Sequence, residues 1–436
     1  MRLGISQKPF WLLLAAVLCA AGVWLYADRV LIPHQISDAV VHNRPTGNRS
    51  DLYPQWLGAR ELLLYGHDPY SAETTREIQQ GYYGRPLDPS RPGEPKDQQA
   101  FAYPVYVAFY LAPTIHLPFE AVRKGFFWVL FILTVVSIPL WLRVLRWSAP
   151  LWAQGSMIIF TIGSLTVMQG LKLPQMTLLV AALVAIGLAL LASDRPIAAG
   201  VALALATIKP QLVWLLLFWL TIWTLADWRR RYRWAASFLC AMAILCAASE
   251  WYLPNWIFRF VQAVHRYQNY NDAVSILDKL LPAGWGLIPS AFAVAATAYI
   301  GWKNRRVAVD TPSFAAMTSL TLAVTVIVTP SYALYNEVIL LSALLMMVRD
   351  RQLLWNQNLS SRVLLSLAAV LLLWQWLASI VLAGLSFVLP LRTFEAAWPV
   401  PLWTVHFLAV AVAGLVLMVM MSHQRTFTTS VEPGSS

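Results

Sequence analysis

Charge is what this chain has little of. Of its 436 residues only 12% are Asp, Glu, Lys or Arg, against 58% apolar. Too few polar side chains remain to cover a water-soluble globule, so lipid must be the solvent. Cysteine is equally scarce. Cys19, Cys240 and Cys246 all fall inside apolar runs with no metal-ligand spacing among them, which argues against a disulfide framework or a zinc site and leaves them as small core residues. No phosphate-binding loop, dinucleotide fingerprint, His-Glu metal pair or Gly-x-Ser-x-Gly elbow occurs, and with them nucleotide-dependent chemistry in the cytoplasm drops out. A net charge of +11 would suggest nucleic acid in a soluble protein. Here the cations sit in short clusters between apolar runs, as cytoplasmic loops facing anionic lipid do, and no nucleic-acid partner is expected.

What is present is apolar sequence in helix-length pieces. A hydrocarbon core about 30 Å thick takes roughly 20 apolar residues per helix. The runs at 10–26, 101–117, 126–142, 151–168, 176–192, 197–226, 235–253, 285–302, 314–328, 334–348, 363–389 and 402–421 predict an all-α polytopic bundle of about 11 to 13 membrane helices. The first run follows Arg2 and Lys8; it is too long for a signal peptide and has no small-x-small cleavage site, so residues 1–27 read as an uncleaved first membrane helix. Residues 28–100 form the one long polar stretch, an extracytoplasmic loop, and long loops are commonly functional. Within it 52–65 predicts an amphipathic helix with Leu52, Trp56, Ala59 and Leu63 on one face, lying along the membrane surface and stopped by Gly66. The Gly- and Pro-rich 82–97 predicts a flexible outer loop. Residues 101–422 form the multi-helix membrane domain and 423–436 a cytoplasmic tail. Arg229-Arg230-Arg231, Lys303 to Arg306, Arg349 with Arg351, and His423 to Arg425 mark the cytoplasmic side. Arg123-Lys124 and Arg143 with Arg146 conflict, because both cannot be cytoplasmic if the run between them spans. Trp24, Tyr26, Trp128, Trp147, Trp251 and Trp302 fall at run ends, as interfacial aromatics do. No internal repeat is evident, which disfavours a two-halved transporter.

A few polar residues stand out against this background. Asp51 precedes the predicted loop helix, where it is either a helix cap or, near a low-dielectric boundary, a base able to take a proton from a hydroxyl. Asp68, in Gly66-His67-Asp68-Pro69-Tyr70, fits an Asx-turn. Lys209 lies within about 30 nearly uncharged residues and is followed by Pro210; an intramembrane cation is costly and marks function by default, with phosphate its natural partner, unless it snorkels from a tight turn. Gln169 and Gln175 flank a break at 170–174, where they bind sugar hydroxyls or simply make a polar turn. Arg259, His265, Arg266, Tyr267, Gln268, Asn269, Tyr270, Asn271 and Asp272 mix cations, aromatics and amides, as a carbohydrate or phosphate site does and as a wet amphipathic linker also does.

Taken in order, these features resemble the GT-C class of integral membrane glycosyltransferases, and within it glycosyltransferase family 87, the polyprenyl-phosphate-mannose-dependent mannosyltransferases. The resemblance rests on Asp51-Leu52-Tyr53, Ala59, Leu63 and Gly66-His67-Asp68-Pro69-Tyr70, on Phe101-Ala102-Tyr103-Pro104 with Pro113, on Pro174-Gln175-Met176-Thr177-Leu178, and on Gly200 to Lys209-Pro210. The chain departs from the pattern at Val105, in place of a second proline, at Pro174, in place of glycine, and at Thr329-Pro330-Ser331-Tyr332, which is followed by Tyr335, Asn336 and Glu337 and no histidine.

The resemblance implies a GT-C-like fold and a hexose, mannose in that family, passed from a polyprenyl-phosphate donor to a hydroxyl of a glycan or glycolipid. It implies Asp51 as the catalytic base and Lys209 as a donor-phosphate contact; Gln175, Arg259 and Arg266 are further candidates for phosphate or sugar, and Asp68, Tyr70 and Tyr103 for a turn beside the site. Neither a cofactor nor a metal is called for, although a divalent ion is compatible with the chemistry. The expected setting is a bacterial inner membrane with the site facing the periplasm or cell exterior. The alternatives are a non-enzymic transporter or flippase of a lipid-linked sugar, which paired broken helices would favour, and an O-antigen ligase or polymerase, whose main loop would come late in the chain instead of early.

Overall fold

Proline and the short basic clusters cut the apolar sequence into helices of unequal length. The computed structural model describes residues 8–42, 50–88, 90–91, 94–95, 97–270, 274–282, 284–330 and 333–429, and among them every regular element is a helix. In chain order α1 (Lys8–Tyr26) passes through a π-helical turn, Ala27–Leu31, into α2 (Ile32–Val41). α3 (Tyr53–Arg60) ends in a second π turn, Glu61–Tyr65, and α4 (Ala72–Tyr83) and α5 (Val107–Leu111) follow. The bundle proper comprises α6 (Phe119–Val144), α7 (Leu151–Ile162), α8 (Leu165–Lys172), α9 (Met176–Leu191), α10 (Pro196–Leu205), α11 (Pro210–Leu225) and α12 (Trp228–Tyr252). It continues through α13 (Trp256–Tyr270), α14 (Ile276–Leu280), α15 (Leu287–Lys303), α16 (Pro312–Val328), α17 (Leu341–Arg349), α18 (Arg351–Gln357), α19 (Leu359–Leu385), α20 (Leu391–Phe394) and α21 (Val405–Thr429).

Among the described residues five stretches are able, by length and composition, to cross a membrane: Pro9–Val41, Phe119–Val144, Trp228–Tyr252, Leu359–Leu385 and Val400–His423. α7 and α8, bent by 60° between them, make a sixth if taken as one span, and α9, Pro196–Ile208, α11 and α16 are shorter apolar helices. The protein is therefore an all-α polytopic membrane bundle. The bend leaves backbone groups to satisfy in a place without water, and α19 supplies the partners: Gln375 accepts from the Leu165 amide at 2.9 Å, and Trp376 donates to the Gly163 carbonyl at 2.7 Å. α16 is the pillar of the bundle, buried at every residue from 314 to 327. Within the helix Thr318 donates to the Phe314 carbonyl and Thr325 to the Thr321 carbonyl, so that these polar side chains sit in the core at little cost.

Basic residues gather at one end. Arg231 donates to the carbonyls of Arg305 at 2.8 Å and Val307 at 3.0 Å, Arg349 donates to the Leu145 carbonyl, and Arg146 pairs with Asp310 at 3.7 Å. The conflict between Arg123-Lys124 and Arg143 with Arg146 is thereby resolved: α6 is one continuous helix, with the first pair at its start and Arg143 in its last turn.

Three expectations for the early chain are corrected. The run 101–117 does not form a span; Pro104 and Pro113 leave only α5 and a 3-10 turn, Ala112–Thr114, because proline removes the helix donor and restricts the residue before it. The helix expected on the membrane surface is enclosed by protein. Tyr53, Pro54, Gln55, Trp56, Gly58 and Ala59 are all buried, and Tyr53 and Trp56 pack on Phe119 with ring centroids 4.9 and 5.3 Å away, contacts worth about 0.5–1.5 kcal/mol each beyond the area they bury. The described residues of the outer loop are tied down: Tyr83 donates to the Asp97 carbonyl at 2.5 Å, Gln79 to the Gln98 carbonyl at 2.9 Å, and Arg85 pairs with Glu94 at 2.6 Å. Gln79 and Tyr83 lie on α4, which begins at the Ser71 cap and ends at Gly84 (φ 83°), a left-handed residue suited to glycine.

Candidate functional site

Away from the basic end, breaks between helices meet the first loop. Ser50 accepts from the Leu52 amide at 3.2 Å and donates to the Leu173 carbonyl at 2.9 Å, which joins the start of α3 to the α8–α9 break. Because Ser50 takes the local amide, Asp51 caps nothing; α3 has no side-chain cap. The Asp51 carboxylate turns inward and accepts from the Gln175 amide and the Tyr335 hydroxyl. Gln175 is the residue just before α9 and is held in extended backbone, its amide on the Gly170 carbonyl at 2.8 Å.

Lys209 occupies the break between α10 and α11. Pro210 fixes the first residue of α11 and keeps Lys209 out of helical backbone (φ −121°, ψ 79°). Its side chain does not snorkel: Lys209 is 6% exposed, and Nζ donates at 2.8 Å to both Gln175 Oε1 and Thr177 Oγ1. Thr177 in turn bonds Asn336 at 3.0 Å. The rings of Tyr103 and Tyr335 flank the ammonium with centroids 5.6 and 5.1 Å away, close enough for cation–π attraction.

Asp51, Tyr103, Gln175, Lys209, Tyr335 and Asn336 line a cavity of about 690 Å³ together with Gln55, Asp97, His265 and Lys279. Burial pushes the Asp51 carboxyl above the usual carboxylate range, opposed by the Gln175 hydrogen bond, the Lys209 charge and the Tyr335 hydroxyl. Asp97 is pushed up to about 6, by burial first and then by the Asp51 charge, against hydrogen bonds from Gln99 and Tyr267. Both shifts bring a carboxylate toward the pH at which it is both ionised and basic enough to take a proton. Among the described residues no group of three or more His, Cys, Asp or Glu comes together to hold a metal ion.

Of the residues singled out in sequence, Asp51, Gln175, Lys209, Tyr103, His265 and Tyr267 line this cavity. Asp68, Tyr70, Arg259 and Arg266 do not line it and form a buttress beside it. Asp68 makes the expected Asx-turn, accepting from the Tyr70 amide at 2.9 Å, and pairs with Arg259 at 2.5 Å; Arg266 donates to the Tyr70 carbonyl at 3.2 Å, and the Tyr70 hydroxyl to the Tyr103 carbonyl at 2.6 Å. The turn thus holds α13 against the cavity wall. Gln169 and Gln175 part company across their break, for Gln169 faces a different cleft. The side chains of Gln268, Asn269 and Tyr270, and Asn271, Asp272, Ser331 and Tyr332 altogether, lie outside the described residues.

Several lining residues escaped the sequence reading, Gln55 and Asp97 among them. Gln55, in the first turn of α3, is 5% exposed, and its Oε1 has no hydrogen-bond partner among the described residues. Asp97 had no local signal; the Tyr83 and Gln79 ties and the Tyr267 hydrogen bond, all distant in the chain, hold it inward. Tyr335 drew notice only as part of a departure from a motif, yet it bonds the principal carboxylate.

The model of glycosyltransferase family 87 matches residues 101–330. That stretch contains Tyr103, Gln175, Thr177 and Lys209, with Asp51 and Asp97 before it and Tyr335 after it. No curated protein and no solved structure matches the chain. Covering more than half of the sequence, the family match and the membrane-helix bundle that carries it lead to one conclusion: this chain belongs to glycosyltransferase family 87 and is a membrane glycosyltransferase.

Proposed function

We propose that the protein transfers a hexose, mannose by the family resemblance, from a polyprenyl-phosphate carrier to a hydroxyl of a glycan or glycolipid. The observation that carries this reading is the join of Asp51 to Lys209 through Gln175 in one buried cavity. A base for the acceptor and a cation for the donor phosphate are the two groups such a reaction needs. Asp51 accepts the proton of the attacking hydroxyl as the new C–O bond forms at the anomeric carbon. The bond from that carbon to the phosphate oxygen breaks on the opposite side, its electrons leave with the polyprenyl phosphate, and Lys209 offsets the charge that appears there. A single displacement inverts the anomeric centre and needs no covalent intermediate. Asp97 and the unpartnered Gln55 suit the sugar and acceptor hydroxyls.

Orientation follows from charge. The end that carries Arg231, Arg305 and Arg349 is the cytoplasmic one by the positive-inside rule, so the cavity, at the ends of other connections, opens to the outer face of a bacterial inner membrane. The test is transfer of radiolabelled sugar from polyprenyl-phosphate-mannose to membrane lipids and glycans by wild type and Asp51→Asn at equal protein level. Transfer lost at least 100-fold in the variant is expected for a general base. Full activity in Asp51→Asn would remove the base assignment, and no transfer by wild type from any polyprenyl-phosphate sugar would remove the donor class.

A further inference from the structure

A second cleft, of about 400 Å³, lies outside the Asp51 cavity among α1, the α1–α2 junction, α6 and α8. Among the described residues its polar lining consists of Arg123, Lys124, Lys172, Gln35 and Gln169 and includes no carboxylate. Arg123 is paired with Glu120 at 2.8 Å and Lys172 with Asp28, both carboxylates lying off the lining. Lys124 is exposed and has no ion pair among the described residues. Gln169 Oε1 is buried without a hydrogen-bond partner. The remaining wall is apolar, with Trp24, Phe127 and the 59% exposed Ile36.

The depth of this cleft is set by α1. The helical stretch Pro9–Val41 has 33 residues, about 50 Å at 1.5 Å per residue, and overshoots a hydrocarbon core of about 30 Å. The overshoot begins near Asp28, the first charged residue after the apolar run. Lys172 lies over the Trp24 ring at 5.4 Å, and an indole paired with a cation is characteristic of the headgroup level. Beyond the cleft α2 exposes Val40 and Val41, extending the apolar surface from Ile36.

We propose that this cleft binds the phosphate of an anionic membrane phospholipid, with Lys124 and Lys172 on the headgroup and the Trp24, Phe127 and Ile36 surface against the acyl chains. A free phosphate has no use for that apolar wall, and a zwitterionic lipid would bring its own cation to three others. The site is independent of the transfer chemistry, although its wall, Lys172 to Pro174, runs directly into Gln175.

Native mass spectrometry of the full chain released from nanodiscs of mixed phosphatidylglycerol and phosphatidylcholine tests this. Wild type should retain phosphatidylglycerol preferentially. Lys124→Gln, an exposed change that leaves the fold intact, should weaken retention about fivefold, as one surface lysine does against anionic lipid, and Lys124→Gln with Lys172→Gln more strongly. Arg306→Gln, at the basic end, should change nothing. Equal retention of the two lipids, Lys124→Gln retaining as wild type does, or displacement of the lipid by millimolar inorganic phosphate would each overturn the assignment.

Discussion

Lys209 reaches Asp51 through the single amide of Gln175, whose oxygen accepts from the ammonium at 2.8 Å while its nitrogen donates to the carboxylate. An amide between a cation and an anion fixes both without letting them collapse into a direct pair. Each keeps capacity for a ligand, Lys209 for an anion and Asp51 for a proton. Substitution of Lys209 should therefore show in both binding and turnover. Lys209→Met removes two charge-assisted hydrogen bonds of the kind worth about 1.5–3 kcal/mol, and a fall in kcat/KM of roughly 10- to 100-fold is expected. Lys209→Arg should recover only part, since a planar fork does not fit the two acceptors that a compact ammonium serves. Steady-state kinetics with varied donor decides it: wild-type kcat/KM in Lys209→Met would separate Lys209 from the reaction.

Asp97 gives a prediction about stability. Its carboxyl titrates at about 6 when folded, above the ordinary 3.8. A raised value means the folded protein holds this proton more tightly than the unfolded chain. The stabilisation is complete below the unfolded value and is lost as pH rises through about 6, so the charged form costs on the order of 3 kcal/mol at pH 8. Asp97→Asn, neutral at every pH, should raise the melting temperature at pH 8 and give progressively less benefit toward pH 4. Thermal unfolding in detergent at both values measures this, and an equal shift at the two would show that charge is not the cause.

Gln55 offers a specificity test. Gln55→Leu keeps the volume and deletes the unpartnered oxygen that lines the cavity. If that oxygen meets a substrate hydroxyl, KM for donor or acceptor should rise about tenfold, near 1.4 kcal/mol, while the protein melts no lower than wild type. Unchanged kinetics with altered melting would make Gln55 a packing residue.

The Asp68–Arg259 pair is partly open to solvent, with Arg259 39% and Asp68 25% exposed. Exposed pairs typically couple by about 0.2–1 kcal/mol. Arg259→Ala and Asp68→Ala should each lower stability slightly, and the double variant should cost less than the sum of the two. Strict additivity in a double-mutant cycle of melting free energies would mean the pair does not hold α13 in place. Because neither side chain lines the cavity, donor KM is expected to move far less than in Lys209→Met.

How much of this was legible in the sequence depends on the range of the signal. Hydrophobic runs and basic clusters are local, and the bundle and its two ends could be read from them. So could the Lys209-Pro210 break, because an isolated cation before proline is conspicuous among apolar residues. The same isolation left open whether Lys209 snorkels, which was decided by Gln175 and Thr177, more than thirty residues away. The loop helix was misplaced for a similar reason. Its apolar face predicts burial without saying against what, and the answer, Phe119, lies more than fifty residues further along the chain. The Ser71 cap and Gly84 stop of α4 were readable and passed unread. Asp97 was not readable, because nothing near it in the chain distinguishes a tethered carboxylate from a solvated one.

The cavity collects residues from opposite parts of the chain: Asp51 and Asp97 from the first loop, Gln175 and Lys209 from two mid-chain breaks, Tyr335 and Asn336 from the turn after α16. A ribosome feeding this protein into the bilayer makes the acid first and its hydroxyl partner nearly 300 residues later. Until α16 is threaded and the next turn folds back, Asp51 is half-partnered in a nascent bundle, and no partial translation product has a complete site. With the site proposed above, competence for transfer would be reached late in biosynthesis, and a cell interrupting insertion before that turn would be left with an inert membrane stub.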